Sequence, residues 1–429
     1  MLIAIVILIV TLLVGIPVPF SFFATAIYLI FTKGYDPSFL LPYGFGGLSS
    51  TVLLAIPLFI MAGGLMEKGG MGDKIINLVE VIFGRLKGGL GIVTVISCAV
   101  FGAISGSGAA TMTTIGTILL PRLEKAGYPP GFSASLVASA SVLGMLIPPS
   151  SLMILFAWVS SQSVLAAFLS TIIPGLIMIF FLSIINIIYL RNTNIKVVES
   201  VDIATKTKQI SKGTMEAFPV ILLAFIILGG IYGGIMTTTE AAGISVIYAI
   251  FVGFWLYKGL NGKSFLHILI RSATMTGVIM VMLFGSMILS RMFIMEDLPG
   301  KLTNLLLIVS ENKIVILLMI NLFLVIIGML MDDVSGVLLS TPVLLPIAMN
   351  FGVDPIHFAA ILSVNLGLGV VTPPAAPLLY LAGQMASAKI NELMKPTTII
   401  ILFAWLPTLA ITTYVPDVAL FLPRLLLGY

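Results

Sequence analysis

Two short stretches carry residues able to hold an ion. The first reads Ala103-Ile-Ser-Gly-Ser-Gly-Ala-Ala-Thr-Met-Thr-Thr, a run of hydroxyls and glycines between apolar segments. Hydroxyl and carbonyl oxygens are hard ligands that suit small cations, and glycine lets backbone approach an ion closely. Sodium is the natural candidate, although such residues also serve close helix packing. The second stretch is Met331-Asp-Asp-Val-Ser-Gly, flanked on both sides by nearly uninterrupted apolar sequence. A carboxylate at membrane depth is costly unless it is paired or binds an ion. One of Asp332 and Asp333 would compensate a cation while the other caps a helix beginning at Ser335, or both would only cap.

Two proline pairs add a second kind of chemistry. Gly144-Met-Leu-Ile-Pro-Pro-Ser-Ser and Gly369-Val-Val-Thr-Pro-Pro-Ala-Ala each interrupt a long apolar stretch. Proline has no N–H and clashes with the preceding turn, so helices break there and carbonyls are freed. Freed carbonyls suit a cation, and the half-helix that follows turns its positive end toward an anion.

Other polar residues give weaker signals. Glu240 after Thr237-Thr-Thr reads as a helix start with an acid in the first turn. Arg291, one turn inside a span, either meets an anion or partner protein or snorkels. His267 and His357 fall near opposite membrane faces and have no metal-ligand spacing, and Cys98 stands alone in an apolar run, so no disulfide or cysteine metal cluster is expected. Gly262-Lys-Ser resembles the end of a phosphate-binding loop, but Tyr257 stands where that loop requires glycine, so no ATP site is expected. The acids of Tyr35-Asp36 and Gly70-Met-Gly-Asp73 fall in loops on opposite sides, which argues against an intramembrane aspartyl protease. No enzyme is indicated.

These residues must be positioned by membrane-spanning helices. The chain has 429 residues, 59% hydrophobic and 9% charged, against about 25% charged in soluble domains. Crossings are expected near 2–16, 18–32, 48–66, 131–162, 165–190, 217–233, 238–258, 272–295, 356–387 and 397–421. The stretches 89–125 and 313–350, broken at their middles, are expected to be re-entrant helical hairpins, because non-helical backbone survives at membrane depth only where it is buried or lines a cavity. Segments 73–87 and 299–311 are too polar to span and suit interfacial arms. With the connector 191–216 placed in the cytoplasm, that side holds sixteen Lys and Arg and the other side five, an orientation signal that puts both termini in the periplasm. The net charge of +4 is thus explained by topology rather than by nucleic acid.

The two halves echo each other. Leu-Leu-Pro at 119–121 recurs at 344–346, Gly127 at Gly352, Pro130 at Pro355, Gly144 at Gly369 and Pro148-Pro149 at Pro373-Pro374, all at one offset. The halves are 1–190 and 217–429, and the five crossings between the hairpins give them opposite orientation. Inverted repeats with broken helices are the architecture of secondary transporters.

The Gly-Xaa-Pro turn at 15–17, Ile-Pro-Leu-Phe-Ile-Met-Ala-Gly at 56–63, Ser-Gly-Ser at 105–107, Gly-Tyr at 127–128, Pro-Pro-Ser at 148–150, Thr-Thr-Glu-Ala-Ala at 238–242 and Thr-Pro-Pro at 372–374 resemble the large membrane subunit of TRAP transporters, the tripartite ATP-independent periplasmic class. The resemblance covers essentially the whole chain and leans to the sialic acid type. It implies an all-α, elevator-type transporter of the bacterial inner membrane, in which a mobile domain containing both hairpins moves against a static scaffold. It also implies a separately encoded small membrane subunit of four helices and a periplasmic binding protein that delivers a carboxylate-bearing solute, sialic acid or a C4-dicarboxylate. Carried over, it implies two sodium sites, Ser105, Ser107, Gly144, Ile147 and Pro149 for one, Asp332, Gly336, Gly369 and Thr372 for the other. The anion would lie between them near Thr111, Ser150, Ser151 and Asp333. A passive anion pore or a stand-alone sodium/dicarboxylate carrier are the competing functions.

Overall fold

A computed structural model describes residues 1–84, 86–195 and 203–429. Arg85 and Lys196 of the charge count, with residues 196–202 of the expected connector, lie outside the described residues. All regular structure among the described residues is helical. Helices α1 (Leu2–Leu13), α2 (Val18–Lys33), α3 (Leu40–Leu48) and α4 (Ala55–Lys68) lead to α5 (Met71–Phe83). The first hairpin is α6 (Gly89–Ser105) and α7 (Gly108–Lys125), followed by α8 (Pro130–Ser141), α9 (Leu143–Leu146), α10 (Ser151–Ser160) and α11 (Val164–Tyr189). Then come α12 (Ile203–Tyr232), α13 (Thr238–Phe251), α14 (Gly262–Met295) and α15 (Leu298–Val309). The second hairpin is α16 (Lys313–Leu330) and α17 (Asp333–Asn350), followed by α18 (Pro355–Gly369), α19 (Pro377–Met385), α20 (Ile390–Ile400), α21 (Leu406–Tyr414) and α22 (Pro416–Leu427). Eight described helices are long and apolar enough to cross a membrane, and the bent pair formed by Pro130–Leu146 and Ser151–Ser160 would add a ninth.

Several boundaries differ from the hydropathy reading. Helix α12 starts at Ile203, inside the expected connector, because the polar run up to Glu216 contains no proline and continues the helix into water. Helix α14 starts at Gly262 instead of 272 and runs 34 residues, about 51 Å at 1.5 Å per residue. Its start is fixed by a reciprocal cap between Asn261 and Ser264, which gives the Gly262-Lys-Ser segment a structural role. The expected final helix 397–421 is cut at Val415, which takes φ −119° and ψ 86° before Pro416, since a residue preceding proline is pushed out of the α region. The expected cap at Thr237 is present, with the Thr237 N–H donating to Glu240 at 2.8 Å and the Glu240 N–H to the Thr237 hydroxyl at 3.2 Å.

Two packed groups emerge. Helices α2, α3, α4, α12, α13 and α14 lie against one another, whereas α6 and α16 pack on α8 and α18. The halves interlock: α10 packs on α17 of the second hairpin, and α19 packs on α7 of the first. Glycines permit the tightest approaches. A Cβ on Gly102 of α6 would sit 2.5 Å from the Gly144 Cα, and a Cβ on Gly369 would sit 2.4 Å from the Gly328 carbonyl carbon on α16.

Ion pairs join α5 to α12 and to α7, and another fixes the turn between α14 and α15 on the end of α2. On α5, Lys74 meets Glu216 of α12 at 2.9 Å while Glu80 meets Arg122 of α7 at 2.6 Å. Before α15, Glu296 meets Lys33 at 2.9 Å and accepts the Tyr35 hydroxyl at 2.6 Å. The Tyr35 hydroxyl, and then the Lys33 ammonium, hold the Glu296 carboxyl below its ordinary value. Stability from a depressed carboxylate is fully present above its unfolded pKa and is lost as pH falls through the lowered folded value. Acidification should therefore lower the thermal midpoint of the detergent-purified protein, and Glu296→Gln should shrink that pH dependence; an unchanged pH profile would remove this contribution. Gly369→Val should lower the midpoint by several degrees, because backbone rather than a flexible side chain would have to move. Gly243→Ala, with nothing within 4 Å of its added Cβ, should leave the midpoint unchanged or raise it.

Candidate functional site

The first hairpin turns at Gly106, whose φ of +64° lies in the left-handed region that glycine occupies without steric cost. That turn brings three oxygens together. The Thr111 hydroxyl donates to the Ser107 carbonyl at 2.8 Å, and the Ser105 hydroxyl lies 3.1 Å from Thr111 Oγ1 and 3.5 Å from the Ser107 carbonyl. Gly144 presses on this cluster, since a Cβ there would fall 2.6 Å from Thr111 Oγ1 and 2.8 Å from the Ser107 carbonyl. The Pro149 carbonyl sits over Gly106, and the Ser151 N–H donates to the Gly106 carbonyl at 3.2 Å. Thus Ser105, Ser107, Gly144 and Pro149 are gathered within one buried corner. Ile147 turns the other way, toward Gly175 of α11.

The chain between α9 and α10 is non-helical, with Ile147 at φ −92° and ψ 120° and Ser150 at φ −122° and ψ 126°. Prolines 148 and 149 supply no N–H to the carbonyls of Gly144 and Met145, four residues earlier. The Ser150 hydroxyl is buried without a hydrogen-bond partner, an arrangement that costs about 1–3 kcal/mol unless a water or an ion meets it. The second break treats its carbonyls differently. The Gly369 carbonyl accepts the Thr372 N–H at 3.0 Å, the Val370 carbonyl accepts the Leu378 N–H at 3.2 Å, and the Thr372 hydroxyl donates to the Leu368 carbonyl at 2.6 Å.

At the second tip, Asp332 occupies the N-cap position and α17 begins at Asp333 rather than at Ser335. The Asp332 carboxylate accepts the Ser335 hydroxyl. Asp333 lies in the first turn, where the helix dipole favours negative charge. Gly336 is buried against Leu366 of α18.

One cavity of about 430 Å³ joins the two tips, lined by Ser105, Gly106, Ser107 and Ser151 from one half and by Asp332, Asp333 and Val334 from the other. Thr111 and Ser150, expected near an anion, are fully buried; Ser151 and Asp333, expected there too, line the cavity, and Thr113 lines it as well. Helical rotation of about 100° per residue separates Thr111 from Thr113, and sequence does not say which face the neighbours occupy. The cavity also meets Glu67, Lys68, His267 and Arg271. Hydropathy misses all four, because the span expected at 48–66 stops short of Glu67 and Lys68 and the one expected at 272–295 starts after His267 and Arg271. Hard oxygens dominate both tips, which fits a small cation and offers nothing to a soft metal. Groups of three or more His, Cys, Asp or Glu able to hold a metal are absent among the described residues.

Residues 5–418 match the family described as the DctM component of the tripartite ATP-independent periplasmic transporter. The chain belongs to this family. It is 32% identical to the C4-dicarboxylate TRAP transporter large permease protein DctM of Rhodobacter capsulatus, over 98% of each chain. It is likewise 32% identical to the sialic acid TRAP transporter large permease protein SiaM of Vibrio cholerae, covering 97% of this chain and 96% of that one. The isethionate TRAP transporter permease protein DctMQ of Oleidesulfovibrio alaskensis is 35% identical over 96% of this chain, which spans 64% of that protein's length. In fold, this DctM-family chain resembles the YdaH transporter of Alcanivorax borkumensis, with a TM-score of 0.63 at 16% identity, covering 87% of this chain and 86% of that one. It also resembles MtrF of Neisseria gonorrhoeae, with a TM-score of 0.55 at 14% identity over 91% and 85% of the two chains.

Because the Thr111 hydroxyl makes two of the bonds that tie the first tip together, Thr111→Val, which conserves shape, should cost about 1–2 kcal/mol. Chemical or thermal unfolding of the purified chain checks this, and a wild-type midpoint would show that the cluster does not stabilise the tip.

Proposed function

We propose that this chain is the transport subunit of a sodium-coupled secondary transporter of the bacterial inner membrane, importing a carboxylate-bearing solute. The observation that carries the reading is the single cavity shared by a hydroxyl-rich tip and a dicarboxylate tip. Sodium at Ser105, Ser107, Gly144 and the freed carbonyls of the first break would need no full charge, because backbone and hydroxyl oxygens satisfy a monovalent ion. Sodium near Asp332 would be neutralised directly, with Gly336, Gly369 and Thr372 framing the second site. With both ions bound, the tips present positive charge and two hydroxyls, Thr113 and Ser151, to an anion. Without them the two aspartates repel it. That difference is the coupling: the solute binds well only after sodium does, and a gradient in one drives the other.

The solutes named for the relatives, C4-dicarboxylates, sialic acid and isethionate, are all anions, which supports an anionic substrate and leaves its identity to the delivering protein. The reading includes a small four-helix membrane subunit, a periplasmic binding protein and periplasmic termini. In it the two hairpins and the broken helices travel together across the bilayer as an elevator, while α2, α4, α13 and α14 stay fixed and α5 and α15 act as arms. The cavity mouth at Glu67, Lys68 and Arg271, on the side richest in basic residues, corresponds to the inward-facing state.

The test is uptake of labelled succinate or N-acetylneuraminate into proteoliposomes containing this chain, its small subunit and its binding protein, with and without an inward sodium gradient. Accumulation should require sodium, and Asp332→Asn should raise the sodium concentration for half-maximal uptake at least tenfold, about 1.4 kcal/mol. Accumulation that ignores sodium, or is indifferent to Asp332→Asn, would overturn the reading.

A further inference from the structure

The mouth of the cavity holds charges that binding at the tips does not use. Glu67, in the last turn of α4, lies 3.3 Å from the Lys68 ammonium and 3.8 Å from the Arg271 guanidinium of α14. Its side chain is only 16% exposed, whereas those of Lys68 and Arg271 are 52% and 57% exposed. The acid is therefore sheltered between two cations that keep open faces toward water. One carboxylate cannot satisfy the three donors of a lysine and the five of an arginine. Two cations against one carboxylate leave the local charge positive even with Glu67 ionised, and His267 lines the same mouth. Helices α4 and α14 are in firm contact here, since a Cβ on Gly64 would fall 3.1 Å from the Ile268 side chain, and the clamp spans two packed helices. Between it and the tips, the α14 wall of the cavity is Ser272, Met275, Val278, Ile279 and Met282. An anion leaving the tips crosses this mostly apolar stretch, and the next groups able to take its charge are Arg271 and Lys68.

We propose that Arg271 and Lys68 form a second anion site at the cavity mouth, in which Glu67 holds the two cations until a solute carboxylate replaces it. The inference rests on the proposed transport of an anion. Glu67 sets the affinity: by competing for the same donors it keeps the site weak, so that the solute exchanges into water instead of lodging. The planar fork of Arg271 matches a carboxylate with two parallel bonds, which lysine cannot do.

Two variants separate this role from a structural one. Arg271→Gln and Glu67→Gln both break the same ion pair, so a pair that only joins α4 to α14 predicts changes of one sign. An exchange site predicts opposite signs. Binding of succinate and of N-acetylneuraminate to the purified complex with its small subunit, followed by thermophoresis, should weaken roughly three- to tenfold in Arg271→Gln and tighten by a similar factor in Glu67→Gln. Arg271→Lys should retain part of the affinity. Shifts of the same sign in the two glutamine variants, or no shift in either, would overturn the proposal. Sodium-driven uptake by the parent complex is measured in parallel. Its failure alongside opposite binding shifts counts against the transport reading and leaves the anion site standing.

Discussion

Backbone released from a helix at membrane depth must be covered by protein, because lipid offers its polar groups nothing to bond. The two proline pairs release backbone of this kind near the middle of the chain's two longest interrupted helices. Much of the surrounding architecture follows from covering it. The first break is roofed by the Ser105–Ser107 turn, whose Gly106 carbonyl takes the Ser151 N–H. The second is closed by its own neighbours, Thr372 and Leu378. Neither half covers itself fully, since α10 lies on the second hairpin and α19 on the first. Interlocking the halves is thus how this sequence tolerates four consecutive non-helical residues, 147–150, inside a bundle.

The same constraint explains the chemical inequality of the tips. At the first, carbonyls of Gly144 and Met145 are left without helix donors, and a buried Ser150 hydroxyl lacks a partner. Neutral oxygens in surplus need a cation or water but no counter-charge. At the second, the carbonyls already have donors, and the polarity is supplied by two carboxylates at the start of α17. Charge there is tolerated because Asp332 opens onto the cavity, accepts the Ser335 hydroxyl and sits at the positive end of a helix. The two tips therefore carry different donors, neutral oxygens at one and carboxylates at the other.

What was legible in the sequence was whatever local chemistry fixes. Proline pairs break helices wherever they occur, Thr237 and Glu240 cap as their types demand, and small hydroxyl residues between apolar arms mark a tip. The family resemblance rested on such motifs, and the match over residues 5–418 agrees with it. Less legible was anything set by neighbours or by length. Hydropathy is blind to the polar first turns of a long helix, so α14 was cut at 272, and Arg271 and His267 were lost from the site with it. Spacing puts Thr111 at the tip and Ser150 at the break but does not say which way either side chain faces. Their burial depends on Gly144 and Gly106, which come from elements distant in sequence. Val415 marked a helix end through Pro416, a local signal that a hydropathy window averages away.

The contacts of α5 and α15 bear on how the hairpin group is held. Apolar helix faces in lipid gain little from one another compared with lipid, so association there relies on close packing and hydrogen bonds. The glycine approaches at Gly102–Gly144 and Gly328–Gly369 supply that closeness within the hairpin group, which argues that it holds together as one body. Helix α5 buries Met71, Ile75, Ile76 and Val79 and packs on α6 and α12, and partly exposed ion pairs, Lys74 with Glu216 and Glu80 with Arg122, add to that seat. Pairs of this sort are worth about 0–1 kcal/mol each, so they can break and reform without a large barrier. On the other side an apolar cavity of about 270 Å³ separates part of α15 from α16 and α17, and that arm is loosely seated where it meets the hairpin. The two arms are therefore seated unequally, α5 by buried side chains and ion pairs, α15 beside an apolar gap.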